Sequence, residues 1–125
     1  MNEQTFKDRT KAVAKRIGRF AMALPLNRIT EVYGRQLIRC GASVGANYRA
    51  ACRAKSDADM AMKLGIAEEE ADESQYWIEL LMESGLGDPE EGRRIHQELD
   101  EILAMLVASR RTLRGRIKES GNSQR

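Results

Sequence analysis

The chain has 125 residues, a formal net charge of +2 and a low mean hydropathy, with 42% hydrophobic and 5% aromatic residues. That is one domain's worth of sequence, able to bury a core of modest size, and the apolar runs fall short of the roughly 20 residues a membrane helix needs. Many Ala, Leu, Arg and Glu residues with only two prolines make an all-helical composition. Residues 1–119 are expected to form a single domain and 120–125 a disordered tail. The first residues, Met-Asn-Glu-Gln, lack the apolar region of a signal peptide, so a cytoplasmic location is expected.

A first helix is predicted from Thr5 to Leu24, with Thr5 and Asp8 as a capping box. Phe6, Val13, Ile17, Phe20 and Leu24 repeat at three/four spacing and define its buried face. Lys7, Lys11, Lys15, Arg16 and Arg19 cover the remainder. Pro25 to Arg28 is a short connection, which favours an antiparallel neighbour.

A second helix is predicted from Thr30, as N-cap, to Ala54. It carries Gly41, Ala42, Ser43, Gly45 and Ala46 within a few residues. Each glycine costs a helix interior about 1 kcal/mol relative to alanine. Close approach of another helix is the expected compensation. Gln36, Arg39, Ser43 and Asn47 share one polar face beside the stripe Leu37, Cys40, Val44, Tyr48 and Cys52. Arg39 and Asn47 are expected to be partly buried and hydrogen-bonded, the alternative being that they face water.

A third helix begins at Ser56, with Asp59 completing a capping box. Met60, Leu64, Ala67, Ala71, Ser74, Ile78 and Leu81 keep an unbroken heptad seam. Met62, Ile66, Trp77 and Leu80 lie off it, and this surplus apolar surface points to self-association or simply to a wider core face. Glycines after Ser84 end the helix. Asp88-Pro89-Glu90-Glu91 starts a fourth, with the seam Ile95, Leu99, Ile102, Leu106, Ser109 and Leu113.

The elements together predict an all-α, antiparallel up-down-up-down four-helix bundle. Cys40 and Cys52 are twelve residues apart on one helix, so they cannot pair within it and read as small buried hydrophobes. His96, the single histidine, reads as a solvated helix residue. One histidine cannot furnish the two Glu-x-x-His pairs of a di-iron bundle, so the carboxylates of Glu68 to Glu73 read as partners for basic helices. No nucleophile–base pair or phosphate-cradling loop is visible. Cofactors, metals and catalysis are not expected. An active site would have to form between subunits from Arg39, Asn47 and Glu73.

Charge is the remaining signal. Residues 1–55 carry 12 Lys/Arg against 3 Asp/Glu, residues 56–101 carry 3 against 15, and residues 102–125 carry 6 against 1. Lys7, Lys11, Lys15, Arg16, Arg19, Arg49, Arg53 and Lys55 are candidate contacts to RNA or DNA phosphates. Aromatics for base stacking are scarce on these helices, so binding would be mainly electrostatic. The alternatives are that the same charges pair with the acidic third helix, or that the module is a protein–protein scaffold without nucleic acid.

Gln36, Arg39 and Ser43-Val-Gly-Ala-Asn47-Tyr48-Arg49-Ala50, followed by Ser56, Met60, Leu64, Ala67, Glu70, Glu73, Tyr76-Trp77 and Glu79, form a pattern. It resembles the four-helix-bundle family named after proteins encoded in intervening sequences of bacterial 23S ribosomal RNA genes. The resemblance spans about Phe6 to Lys118. The sequence departs from one common form of the pattern at Ala50 and Ala51, where that form has an acidic residue and a glycine. The resemblance implies a ring-like homo-oligomer, a pentamer, with no established enzymatic activity. It also implies kinship with accessory subunits of diversity-generating retroelements, which bind nucleic acid and a reverse transcriptase. Arg39, Ser43, Asn47, Glu73 and Trp77 are the candidate structural or interface residues.

Overall fold

A computed structural model describes residues 2–123. They form four helices: α1 (Glu3–Met22), α2 (Arg28–Cys52), α3 (Asp57–Glu83) and α4 (Pro89–Ser123). Each expected helix is present, and the differences lie at the ends. Asn2, not Thr5, caps α1: its Oδ1 accepts the Thr5 N–H at 2.7 Å. Asp8 instead accepts from the Gln4 amide at 2.9 Å. At α2 the cap is Asn27, with Thr30 as the third residue of a reciprocal capping box. Asn27 Oδ1 accepts from the Thr30 N–H (2.9 Å) and Thr30 Oγ1 from the Asn27 N–H (3.1 Å). In both places an asparagine one turn upstream outcompetes threonine, as their capping ranks dictate. Ser56 caps α3 as expected, accepting from the Asp59 N–H at 3.1 Å. Asp59 spends its own carboxylate on Lys63 (2.9 Å).

The α3 end is a Schellman motif. Leu86 N–H donates to Leu81 O at 2.8 Å, Gly85 N–H to Met82 O at 3.0 Å, and Gly85 takes φ +71°. Asp88 opens α4, accepting from the Glu90 N–H with its carboxylate and from the Gly92 N–H with its carbonyl. α4 continues through 120–123, four residues into the expected tail, while 124–125 lie outside the described residues.

The packing is cyclic: α1 neighbours α2 and α4, α3 neighbours α2 and α4, and the backbones of the diagonal pairs α1/α3 and α2/α4 do not approach each other. The core holds all five expected α1 residues, with Thr10 filling the place left between Phe6 and Val13. From α2 come Leu37, Cys40 and Val44; from α3, Leu64, Ala67, Ala71, Ser74, Ile78 and Leu81; from α4, Ile95, Leu99, Ile102, Leu106 and Leu113. Ser109 is the exception on its seam: it is exposed and lines an opening with Met60, Leu64, Ala108, Thr112, Leu113 and Arg116. α1 has 20 residues against 35 in α4 and does not cover this level. Cys40 is buried and Cys52 half-buried, both as free thiols.

The glycines of α2 sit where α1 presses closest. A Cβ on Gly41 would come within 2.7 Å of Ile17 Cδ1, and one on Gly45 within 2.9 Å of Thr10 Oγ1 and 3.2 Å of Thr10 Cβ. The cost of two helical glycines is thus offset by backbone approach at the α1/α2 contact. Among the described residues, no helix is long and apolar enough to cross a membrane.

Candidate nucleic-acid interface

The cations of α1 divide between two sides of the helix. Toward α4, Arg9 forks onto Glu98 (Nε–Oε2 2.8 Å, Nη2–Oε1 2.7 Å) and reaches Glu101 at 3.1 Å. Arg16 forks onto Glu91 with both bonds at 2.9 Å. Such bidentate pairs add geometric fit to charge. Arg16 is therefore committed to the fold and is the least available of the eight predicted contacts. Arg9, which the sequence reading passed over, belongs to the same α1/α4 seam. These pairs run to α4 and not to the acidic α3, which lies diagonally across the bundle from α1. The acids of α3 are met by Arg39 of α2 and by Arg110 of α4, the latter paired with Glu68.

Hydrogen bonding from Arg16 holds the Glu91 carboxyl below its usual value, with Arg94 and Arg19 adding attraction. A carboxyl lowered by folding contributes stability that is present above its unfolded value and is lost as pH falls through the folded one. Arg16→Gln is expected to abolish that part of the acid limb. Thermal melts of the variant should flatten relative to wild type between about pH 5 and pH 3, and an unchanged slope would exclude the pair as a contributor.

Toward α2, the other side of α1 bounds a groove of about 460 Å3. Its floor is made of small residues, Ala14, Ala42, Gly45 and Ala46. Its walls carry Lys7, Lys11, Arg49 and Arg53, with Asp8 the acid among the lining residues. Lys7 shares a solvent-exposed pair with Glu3 at 3.1 Å. Lys11, Arg49 and Arg53 are exposed and have no ion pair among the described residues. Four of the eight predicted basic residues thus converge. Lys15, Arg19 and Lys55 are exposed outside the groove lining.

The second predicted constellation is brought together in part. Arg39 Nη2 donates to Glu73 Oε1 at 2.7 Å, Nη1 to Glu70 Oε2 at 3.4 Å and Nε to Gln36 Oε1 at 3.1 Å. Trp77 Nε1 donates to the same Glu73 oxygen at 3.3 Å, and its ring lies 5.5 Å from Tyr33. Arg39 is hydrogen-bonded as expected, but its side chain is 49% exposed, so partial burial does not hold. It lies on the outer rim of the α2/α3 contact. Ser43 and Asn47 do not join the cluster. Ser43 Oγ donates to Arg39 O and Asn47 Nδ2 to Ser43 O, both at 2.9 Å, bonding back to their own helix.

His96 is not simply solvated: its Nε2 lies 2.8 Å from Glu79 Oε2. The buried Gln75 beside it donates to His96 O and Asp100 Oδ1, both at 3.2 Å. Burial pushes the Cys40 thiol up, opposed by its contact with Ser74 at 3.2 Å. Burial, then hydrogen bonding with Cys52, raises the Tyr48 hydroxyl as well. No group of three or more His, Cys, Asp or Glu among the described residues is placed to hold a metal ion.

Four packed helices with a basic groove, and no strand among the described residues, define an all-α bundle protein. The chain belongs to the 23S rRNA-intervening sequence protein family, whose model matches residues 3–108. It is similar to the crystal structure of a protein of unknown function from the S23 ribosomal protein family of Bacteroides thetaiotaomicron. The two are 34% identical with a TM-score of 0.79, the match covering 89% of this chain and 99% of that one. No curated protein matches.

Proposed function

We propose that the protein is a non-catalytic, self-associating four-helix module that binds RNA or DNA phosphates in its α1/α2 groove. The observation that carries this reading is the sorting of charge around α1. Cations facing α4 are consumed by Glu91, Glu98 and Glu101, whereas Lys11, Arg49 and Arg53 converge on one groove without acid partners. Four phosphate contacts predict a log–log salt slope of about −3 to −4. Titration of labelled RNA at increasing salt tests this, with the RNA recovered intact afterwards. Absence of binding at low salt, or binding indifferent to salt, would remove the groove as a phosphate site.

The connectivity proposed is up-down-up-down. Residue pairs support it: Thr10 with Gly45 and Ile17 with Gly41 between α1 and α2, Glu79 with His96 and Glu68 with Arg110 between α3 and α4. In each case rising numbers on one helix meet falling numbers on the other. Assembly into a ring, a pentamer by family resemblance, is proposed through the outer face of α3, where Met62 is 60% and Tyr76 55% exposed. Met62→Glu with Ile66→Glu is expected to lower the sedimentation coefficient without loss of helix content. An unchanged assembly would move the interface elsewhere.

The scaffold reading is favoured by one observation, the exposed Tyr76 ring set 5.6 Å from Trp77, whose indole N–H donates to the Glu73 carboxylate that Arg39 also meets. A protein partner there, a reverse transcriptase by resemblance, would survive nuclease treatment of a lysate.

A further inference from the structure

The groove wall on α1 is the start of a longer row. Lys7, Lys11, Lys15 and Arg19 follow one another at four-residue intervals. Residues four apart are surface neighbours on a helix, so each step advances about 6 Å and the row runs about 18 Å. Lys7 and Lys11 line the groove, and Lys15 and Arg19 are exposed beyond it. From Arg9 to Met22 the helix carries no acidic residue. The acids near its start, Glu3 and Asp8, are already bonded to Lys7 and Gln4. At the far end Arg19 lies near enough to Glu91 to attract it but forms no ion pair among the described residues, and Arg16 holds that carboxylate with two hydrogen bonds. On the other wall, Thr10 meets Gly45 and Ile17 meets Gly41. Arg49 therefore comes level with Lys7, and Arg53 lies one turn further on.

The row does not run straight. At about 3.6 residues per turn, the twelve residues from Lys7 to Arg19 rotate the side-chain direction by roughly 120°, so the two ends point to different sides of α1. Duplex DNA, with a persistence length of about 50 nm, is stiff on this scale and cannot follow such a turn. A single strand can. The lining also has no means of reading bases. Base edges are read by hydrogen bonds, and single strands are ordinarily held by stacking on aromatic rings. The groove lining contains no aromatic residue. Its neutral polar side chains are engaged: the Gln4 amide donates to Asp8 at 2.9 Å and Thr10 Oγ1 to Lys7 O at 3.0 Å. The floor between the walls is alanine and glycine.

We infer that the ligand is a single phosphodiester strand that enters between Arg53, Arg49 and Lys7 and wraps α1 along Lys11, Lys15 and Arg19 with its bases turned outward. The inference rests on the groove reading and extends it to a path and a ligand class. Fluorescence anisotropy with a twelve-nucleotide single-stranded DNA, the same sequence as a duplex, and an abasic strand of equal length tests it at about 0.1 M salt. The wild-type salt slope on the single strand should be about −4, from six contacts at roughly 0.7 each. K15Q/R19Q should lose single-strand affinity tenfold or more and flatten that slope by about 1.4. Its duplex affinity should stay within threefold of wild type, and circular dichroism should show intact helices. The abasic strand should bind wild type within threefold of the ordinary strand. R111Q/R114Q, which removes two exposed cations from the part of α4 that α1 does not cover, should leave every affinity within twofold. The inference is overturned by K15Q/R19Q with unchanged single-strand affinity or with an equal loss on the duplex. An abasic strand bound tenfold more weakly, or R111Q/R114Q as impaired as K15Q/R19Q, overturns it too. In each case the groove reading stands if K11Q/R49Q still weakens binding, and falls as well if K11Q/R49Q is silent.

Discussion

Gly45→Val is expected to destabilise the fold by about 2–3 kcal/mol, the cost of forcing extra methyl groups into a filled contact. Thr10 cannot yield easily. Its Cβ would lie 3.2 Å and its backbone carbonyl carbon 3.6 Å from the first added atom, and its Oγ1 is tied to Lys7 O at 3.0 Å. Relief would require α1 to move away from α2 and uncover Val13 and Ile17, which are about 1% exposed. Gly41 offers a sharper version of the same test. The closest atom to a Cβ there is Ile17 Cδ1, at 2.7 Å, and Ile17→Val deletes that atom. Gly41→Ala and Ile17→Val should each destabilise alone, while the double variant should be more stable than their sum predicts by about 1 kcal/mol. Gly18→Ala is the control, because nothing lies within 4 Å of its Cβ position. It should gain about 0.5–1 kcal/mol from helix propensity. Urea unfolding of the set decides the matter: a neutral Gly45→Val would mean that α1 does not press on α2.

K11Q/R49Q is expected to lower nucleic-acid affinity about 100-fold at roughly 0.1 M salt. Each phosphate contact contributes about 0.9 to the log–log salt slope, hence close to a decade of affinity at that concentration. Both side chains are exposed and outside the ion pairs of the fold, so helix content and melting should stay within experimental scatter. Arg9→Gln gives the opposite pattern. Arg9 is bound to Glu98 and Glu101, bonds that raise its pKa and anchor α1 to α4. Its loss should weaken the fold and leave the salt slope of binding nearly unchanged. Equal affinities for wild type and K11Q/R49Q would show that these cations are solvent decoration.

Periodicity carried the helices because burial on one face imposes a spacing, and Phe6, Leu64, Ile78, Leu99 and Leu106 all lie where that spacing puts them. The glycines of α2 were equally legible, since a deficit in helix propensity needs a compensating contact. Helix starts were not. Thr5 and Thr30 are acceptable caps, and only the competition with Asn2 and Asn27 decides between them. Ser109 shows the limit of a seam, because its exposure depends on where α1 stops and not on its own repeat. For the site, sequence located the basic helices but could not divide their charges. Lys11 and Arg16 look alike in the chain. The direction each takes around α1 makes one a groove wall and the other an internal partner of Glu91. Arg39 was misjudged for a related reason: its neighbours are small, but it lies one row outside the tight contact.

The unequal lengths of α1 and α4 have a kinetic consequence. Backbone amides after about residue 113 belong to a segment with one flanking helix rather than two. In hydrogen–deuterium exchange they should open by local fluctuations, whereas amides around Gly41 and Leu99 should exchange only when the whole bundle comes apart. The protein would then couple a rigid centre to an adaptable arm, and protection of residues 114–121 on adding a ligand would report where that arm closes.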